Sequence, residues 1–283
     1  MSLKGLRYKR NVDLKNYTTI KIGGRTKFLF FPQRLEDLHK LLEVLRDDFY
    51  ILGKGSNLLI KDNLIRKPVI KLGKFFNYIK EKDDLLEVGG ATSFSSFINY
   101  CIKNNYTGLE NLAGIPATVG GMLAINAASF RRSISSFLVR VEILDKRNIK
   151  ILNKKDVLFS YRFSSLKGKF ILRAWFELKK GKRVKEKVMF YLKKKKETQE
   201  MQFPNCGCIF KNSPSFFAGY LIEKCGLKGR KKRDAMISIK HANFIINLGK
   251  ATYQDVDYLI HLVKEEIYKN FSVILEEEIE RWS

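Results

Sequence analysis

Short apolar runs that stop on glycine, alternating with leucine and phenylalanine stripes at helical spacing, set the strongest limit on the architecture open to this chain. Such alternation calls for small strands joined by amphipathic helices, a mixed α+β fold rather than a bundle or a sandwich. Residues 27–31 (KFLFF) read as a strand, and Leu35, Leu38, Leu41, Leu42 and Leu45 then form one helical face. Phe49–Leu52 reads as a strand running into Gly53-Lys54-Gly55-Ser56-Asn57. Strands are predicted at 67–72, 85–88 and 170–178, with a hairpin over 139–152 turning at Lys146–Asn148. A helix carries Phe94, Phe97, Ile98, Cys101 and Ile102 on one side and ends near Asn104-Asn105.

After Gly181-Lys182-Arg183 comes a basic helix with Val184, Val188, Tyr191 and Leu192 on its apolar side. Ser213-Pro214 is expected to open the next helix as N-cap and first residue, with Gly226 closing it. Thr252-x-x-Asp255 is a loose capping box for a last helix that turns Val256, Leu259, Ile260, Val263 and Ile267 inward. The change of character near residue 182 marks a domain boundary. At 283 residues, the chain is long enough for two domains.

No apolar run approaches the roughly 20 residues that cross a bilayer, so no membrane insertion is expected. The N-terminal MSLKGLRYKRNVDLKNY is basic without an apolar centre, which is not a secretory signal. A cytoplasmic protein is predicted. Four cysteines are too few for a disulfide scaffold, and the one-residue gap between Cys206 and Cys208 is too tight for a zinc pair, so no metal is expected. The balance of 54 Lys and Arg against 29 Asp and Glu gives +25, a charge that attracts phosphate of any kind. It is spread along the chain, densest at Lys193–Lys196 and Arg230–Arg233, with no nucleic-acid-reading module.

Three glycine-bearing segments are candidates for holding an anion: Ile22-Gly23-Gly24, Leu52–Asn57, and Ala113-Gly114-Ile115-Pro116-Ala117-Thr118-Val119-Gly120-Gly121. Glycine lets main-chain N–H groups turn toward a diphosphate that a Cβ would block. None matches a P-loop or a Rossmann fingerprint, and each alone is as well explained by a tight turn.

Together and in order they say more. Asn16–Gly24, Leu52–Asn57 and Gly108–Gly121 closely resemble the UDP-N-acetylenolpyruvoylglucosamine reductase (MurB) family. The resemblance continues through Tyr161-Arg162-x-Ser164, Gly207–Asn212, Lys240–Asn247 and Leu275-Glu276-x-Glu278. It implies an FAD-binding region of two α+β subdomains, of the PCMH type, over residues 11–180. A C-terminal α+β substrate-binding domain follows over 183–283, in the shorter version of the family. It also implies FAD and NADPH as cofactors, a UDP-sugar substrate, no nucleic-acid partner and a monomeric enzyme of peptidoglycan synthesis.

The family reaction sends hydride to the end of an enolpyruvyl double bond. The negative charge left on the neighbouring carbon must be stabilised and then protonated. By resemblance, Cys208 stands where many relatives carry a proton-donating serine, and a thiol, with a reference pKa near 8.5, is the readier acid. Arg162 offers a fork of donors to a carboxylate, and Glu278 matches the family's C-terminal glutamate. Lys196, Lys211 and Asn212 are placed on the substrate. Gly53, Gly55, Ser56, Asn57, Ile115, Pro116, Thr118 and Gly120 are placed along FAD. The stretch Asn126–Arg131 lacks the glycines and tyrosine that relatives have there, a departure expected to leave the three catalytic positions untouched. Two other readings stay open: another FAD oxidoreductase of the same fold, and a basic nucleic-acid-binding protein.

Overall fold

The computed structural model describes residues 5–46 and 48–283; Asp47 and residues 1–4, the start of the basic N-terminal stretch, lie outside the described residues. By packing, the chain forms two compact units. One takes the residues up to Arg10, Phe28–Lys54 and Lys67–Lys194; the other takes Asn11–Lys27, Gly55–Arg66 and Lys195–Ser283. The chain passes between them more than once, so this grouping is not a cut at one point in the sequence.

The first unit is built on a five-stranded antiparallel sheet, ordered Asn148–Asn153, Leu138–Asp145, Phe170–Phe176, Leu85–Gly89, Ile79–Lys82. The expected hairpin is present, with Asp145 paired to Asn148. Phe170–Phe176 lies in the middle and has both faces covered. Its pairing with Leu138–Asp145 slips at Leu172, and across that slip Ile171, Ala174 and Phe176 join one core with Val88, Phe94, Phe97 and Met122, while Phe170 and Leu172 join another with Phe30, Leu38, Leu41 and Ile70. A strand buried on both sides reads as a near-continuous apolar run, as FILRAWF does with Arg173 its one interruption.

The second of those cores is covered by α1 (Leu35–Leu45), whose buried leucines are Leu38, Leu41 and Leu42. Here Leu29 and Phe30 pair in parallel with Val69 and Ile70, and Tyr50 pairs in parallel with Val69. The first core is covered by α2 (Phe94–Lys103), N-capped by Ser93, and by the short α3 (Val119–Ala124), N-capped by Thr118. Helix α4 (Val184–Thr198) starts in this unit, where Val184 and Val188 are buried.

The second unit has a four-stranded antiparallel sheet ordered Asn205–Cys208, Phe244–Asn247, Ala235–Ile237, Lys231–Lys232. Its core joins Ile237 and Ile245 to Leu221 and Ile222 of α5 (Ala218–Lys224) and to Val256, Leu259, Ile260, Val263 and Ile267 of α6 (Tyr253–Phe271). The Thr252–Asp255 capping box forms as expected. The Ser213-Pro214 helix start does not. Ser213 and Phe216 instead close a tight turn, Ser213 N donating to Phe216 O at 3.0 Å, and α5 begins at Ala218, whose N–H is taken by Asn212 Oδ1 at 3.0 Å. Gly226, at φ 67, ends the helix as expected. The C-terminal strand Glu280–Trp282 runs parallel to Leu58–Ile60. Among the described residues no helix is long and apolar enough to cross a membrane.

Candidate active site

In the first unit, the strand Tyr50–Ile51 delivers the chain into Gly53. A Cβ there would meet Thr118 Oγ1 at 3.1 Å, so Gly53 lies against the cap of α3. Thr118 is buried and accepts from Gly121 N at 3.1 Å, while Gly120 N donates to Gly90 O at 2.9 Å. Two of the predicted cofactor segments, distant in sequence, therefore share one place. Below the turn lies Lys71, whose ammonium donates to Gly53 O. Burial, reinforced by the charge of Lys54, lowers its pKa to about 8. A half-buried cation drawn in beside a glycine turn favours an anion there.

Arg162 occupies the second position of a two-residue turn between Phe159–Ser160 and Phe163–Ser164, with φ 55. The left-handed backbone is unusual for arginine and is the kind of strain that collects at working sites. Its guanidinium lies over the Tyr161 ring and donates from Nη1 to Ala128 O at 3.1 Å. The departing stretch Asn126–Arg131 thus meets Arg162 at Ala128 while leaving the residues at the three predicted catalytic positions unchanged. It does so through a main-chain carbonyl, which any residue at 128 supplies. Asn126 Nδ2 adds a bond to Ser160 O at 2.9 Å.

In the second unit, Cys206 and Cys208 would face the same side of a regular strand. They do not, because the pairing with Phe244–Asn247 slips between Asn205 and Cys208. Gly207 makes the slip at φ 80, with its N–H held by Asn205 Oδ1 at 3.0 Å. Cys206 is left 1% exposed, with burial pushing its thiol up to about 12, while Cys208 is only half-buried. The next residues are clamped by buried Asn243: Phe210 N donates to its Oδ1 at 2.9 Å and its Nδ2 donates to Phe210 O at 2.8 Å. The C-terminal segment lies against them, with Glu278 N donating to Ile209 O at 2.7 Å and Lys211 N to Glu276 O at 2.8 Å. Cys208 and Glu278 are thereby brought to one place. On its other side Glu278 O accepts from Asn57 Nδ2 at 3.0 Å.

Residues 26–151 match the FAD binding domain family, and residues 199–282 match the UDP-N-acetylenolpyruvoylglucosamine reductase C-terminal domain. The reductase of that name from Caldanaerobacter subterraneus subsp. tengcongensis is 38% identical over 95% of this chain and 91% of its own length. That from Caldicellulosiruptor saccharolyticus is 36% identical over 97% and 92%. The chain belongs to the UDP-N-acetylenolpyruvoylglucosamine reductase (MurB) family. The crystal structure of MurB from Thermus caldophilus superposes with a TM-score of 0.86 at 33% identity, covering 98% of this chain and all of that one.

Membership makes the protein a flavin-dependent oxidoreductase of the α+β class, and the MurB family uses FAD and NADPH. The residues present fit FAD. Gly53 and Gly55 keep side chains away from the turn, and a Cβ on Gly55, at φ 65, would come within 2.2 Å of Tyr17 O. Within the first unit Lys71 adds, beside Gly53, a positive charge suited to a phosphate group. Ile115, Pro116 and Thr118 lead into α3 in the same unit as Gly53.

The predicted substrate contacts are placed less simply. Lys211 is ion-paired with Glu276, and Asn212 spends its side-chain oxygen on the start of α5. Lys196 is exposed in the last turn of α4, with its carbonyl held by Lys240 Nζ. Sequence reasoning passed over Lys71 and Asn243. The available signal was similar for both: a polar residue at the end of a short apolar strand, Lys71 just after Val69–Ile70 and Asn243 just before Phe244–Asn247. Among the described residues no group of three or more His, Cys, Asp or Glu is placed to hold a metal.

Proposed function

We propose that the protein reduces the enolpyruvyl ether of UDP-N-acetylglucosamine enolpyruvate to UDP-N-acetylmuramate with NADPH, acting as a cytoplasmic monomer. Residues 11–180 hold the flavin and 183–283 the nucleotide sugar. FAD, when bound, supplies to the terminal carbon of the double bond the hydride it takes from NADPH. Cys208 gives its thiol proton to the adjacent carbon, and the thiolate is reprotonated from solvent. Hydride and proton together saturate the double bond. Arg162 pairs with the enolpyruvyl carboxylate, into which the developing charge spreads. Glu278 orients that carboxylate or, when protonated, donates a hydrogen bond to it.

The observation that best supports this reading is the meeting of Cys208 and Glu278 across Ile209, where a bulge has turned one cysteine of a close pair away from the core. A thiol and a carboxyl group carried on segments joined by a nonlocal main-chain hydrogen bond support a paired role in catalysis. Mixing the flavin-loaded protein with the enolpyruvyl UDP-sugar and NADPH should cause loss of the nicotinamide absorbance band. No consumption by flavin-loaded protein would refute the assigned reaction.

A further inference from the structure

The chain joins the predicted cofactor turn to the predicted catalytic carboxylate by a short series of bonds within the second unit. Thr19 N donates to Gly55 O at 3.1 Å and holds the turn from one side. Two residues on, Asn57 Nδ2 donates to Glu278 O at 3.0 Å, and Asn57 O accepts from Glu280 N at 2.9 Å. Leu58, Leu59 and Ile60 then pair in parallel register with Glu280, Arg281 and Trp282. On the far side, Glu278 N donates to Ile209 O at 2.7 Å. Both main-chain polar groups of Glu278 are therefore committed, one to the strand end that carries Cys208 and one to the turn that carries Ser56.

Two fixed peptide planes leave the Glu278 side chain one direction in which to depart from the backbone. If the Asn57 amide is removed, the plane after Glu278 loses its only side-chain anchor among these bonds, while the plane before it stays fixed by Ile209. The Glu278 peptide then gains freedom between its two remaining anchors, Ile209 O before it and Asn57 O, through Glu280 N, after it. A displacement of about 1 Å at a positioned group can cost on the order of 10²-fold in rate.

We infer that Asn57 is a positioning residue for Glu278, and that it couples the geometry of the flavin turn to the carboxyl group serving substrate reduction. This rests on the role proposed above for Glu278, and it adds to the flavin contact expected of Asn57. Ordering the turn around a cofactor orders the C-terminal tail with it. The reductive half-reaction, in which NADPH reduces the flavin, has no use for Glu278. The oxidative half-reaction, in which the enolpyruvyl ether is reduced, depends on it.

The test uses Asn57→Asp, which keeps size and shape but has no donor for Glu278 O, alone and combined with Glu278→Gln, each loaded with saturating FAD. In stopped-flow measurements the single variant should lose less in flavin reduction by NADPH, which reports its contact with FAD, than in reoxidation by the enolpyruvyl UDP-sugar. Its oxidative half-reaction should fall about 10- to 100-fold. In the Glu278→Gln background, Asn57→Asp should add less than about twofold, because the group it positions has been removed. Equal loss in both half-reactions, or an undiminished effect in the Glu278→Gln background, would overturn the inference. So would a variant that binds FAD more weakly yet runs both half-reactions normally once saturated.

Hydrogen exchange on the wild-type protein supplies a readout that needs no variant to fold. FAD should slow exchange at the Glu278 and Glu280 amides, and an unchanged rate there would also overturn the coupling. Failure of the parent reading is seen separately. In that case Glu278→Gln alone would leave the oxidative half-reaction intact.

Discussion

The two compact units hold their working residues by different means. In the first, Gly53 and Arg162 sit on turns and Gly120 in the first turn of α3, where the main chain itself is the device: close approaches to Thr118 and Gly90, and a left-handed φ at Arg162. In the second, Cys208 and Glu278 hang from a bulged strand and a tail held by asparagine amides, Asn243 on Phe210 and Asn57 on Glu278. A site defined by backbone tolerates exchange of neighbouring side chains and rejects an added Cβ. A site defined by amide clamps tolerates little change in the clamp. That is why the altered Asn126–Arg131 stretch can still supply Arg162 with a carbonyl.

The largest expected effect is at the reacting group of the second unit. Cys208→Ser should keep substantial reduction, and Cys208→Ala should lose about 10²- to 10⁴-fold in the oxidative half-reaction, the usual range for a positioned acid. Flavin reduction by NADPH should be unaffected in both. Stopped-flow traces of reoxidation by the enolpyruvyl UDP-sugar decide it, and equal activity of the two variants would remove Cys208 from the mechanism.

Next is the clamp. Asn243→Leu strands a buried N–H and a buried C=O on Phe210, so unfolding should become easier by roughly 2–5 kcal/mol. Urea denaturation measures this, and a loss under about 1 kcal/mol would mean the strand is held by packing alone. Gly207→Ala should cost less, about 1–2 kcal/mol. No atom lies within 4 Å of the added Cβ, so only the left-handed backbone at φ 80 resists it. Because that glycine makes the slip that frees Cys208, the variant should lose oxidative half-reaction rate as well as stability. A stability loss with unchanged rate would separate the bulge from the chemistry.

These cases also show where the amino-acid order is readable and where it is not. The hairpin over 139–152, the α1 leucine face and the capping box at Thr252 are local patterns and lie where local rules put them. Phe170–Phe176 was legible as a strand, though not as the element shared by two cores, since that depends on what covers each face. Ser213-Pro214 misled because its competing partners, Phe216 and Asn212, make a turn whose stability no capping rule counts. Cys208 was legible through its motif. The reason it points away from Cys206 was not, because strand register against Phe244–Asn247 is a nonlocal property. Asn57 reads as part of a glycine turn, and its bond to Glu278 joins residues from opposite ends of the chain.

The smallest expected effect comes from the first unit, at a network of ion pairs on its five-stranded sheet. Arg173 lies between Glu87 and Glu142 on adjacent strands, with ion-pair distances of 3.1 and 2.8 Å, and the Tyr78 hydroxyl donates to Glu87 at 2.7 Å. Burial pushes the Glu87 carboxyl up, but the bonds from Tyr78 and Arg173 outweigh it and hold the group below the ordinary glutamate value of 4.5. A carboxyl group depressed on folding binds fewer protons in the folded than in the unfolded chain. Its contribution is therefore complete above that ordinary value and fades as pH falls through the lower folded value.

Glu87→Gln should thus destabilise by only about 1 kcal/mol at neutral pH, because Arg173 is 37% exposed and keeps Glu142. The gap between variant and wild type should narrow in acid. Glu277 in the second unit is held low in a similar way by Arg281 and Lys264 against its burial, but it adjoins Glu278, so changing it would mix stability with position. Glu87 isolates the electrostatic term. Thermal unfolding from neutral pH down to about pH 3 provides the curve, and a gap that stayed constant in acid would show that the network stabilises through shape rather than charge.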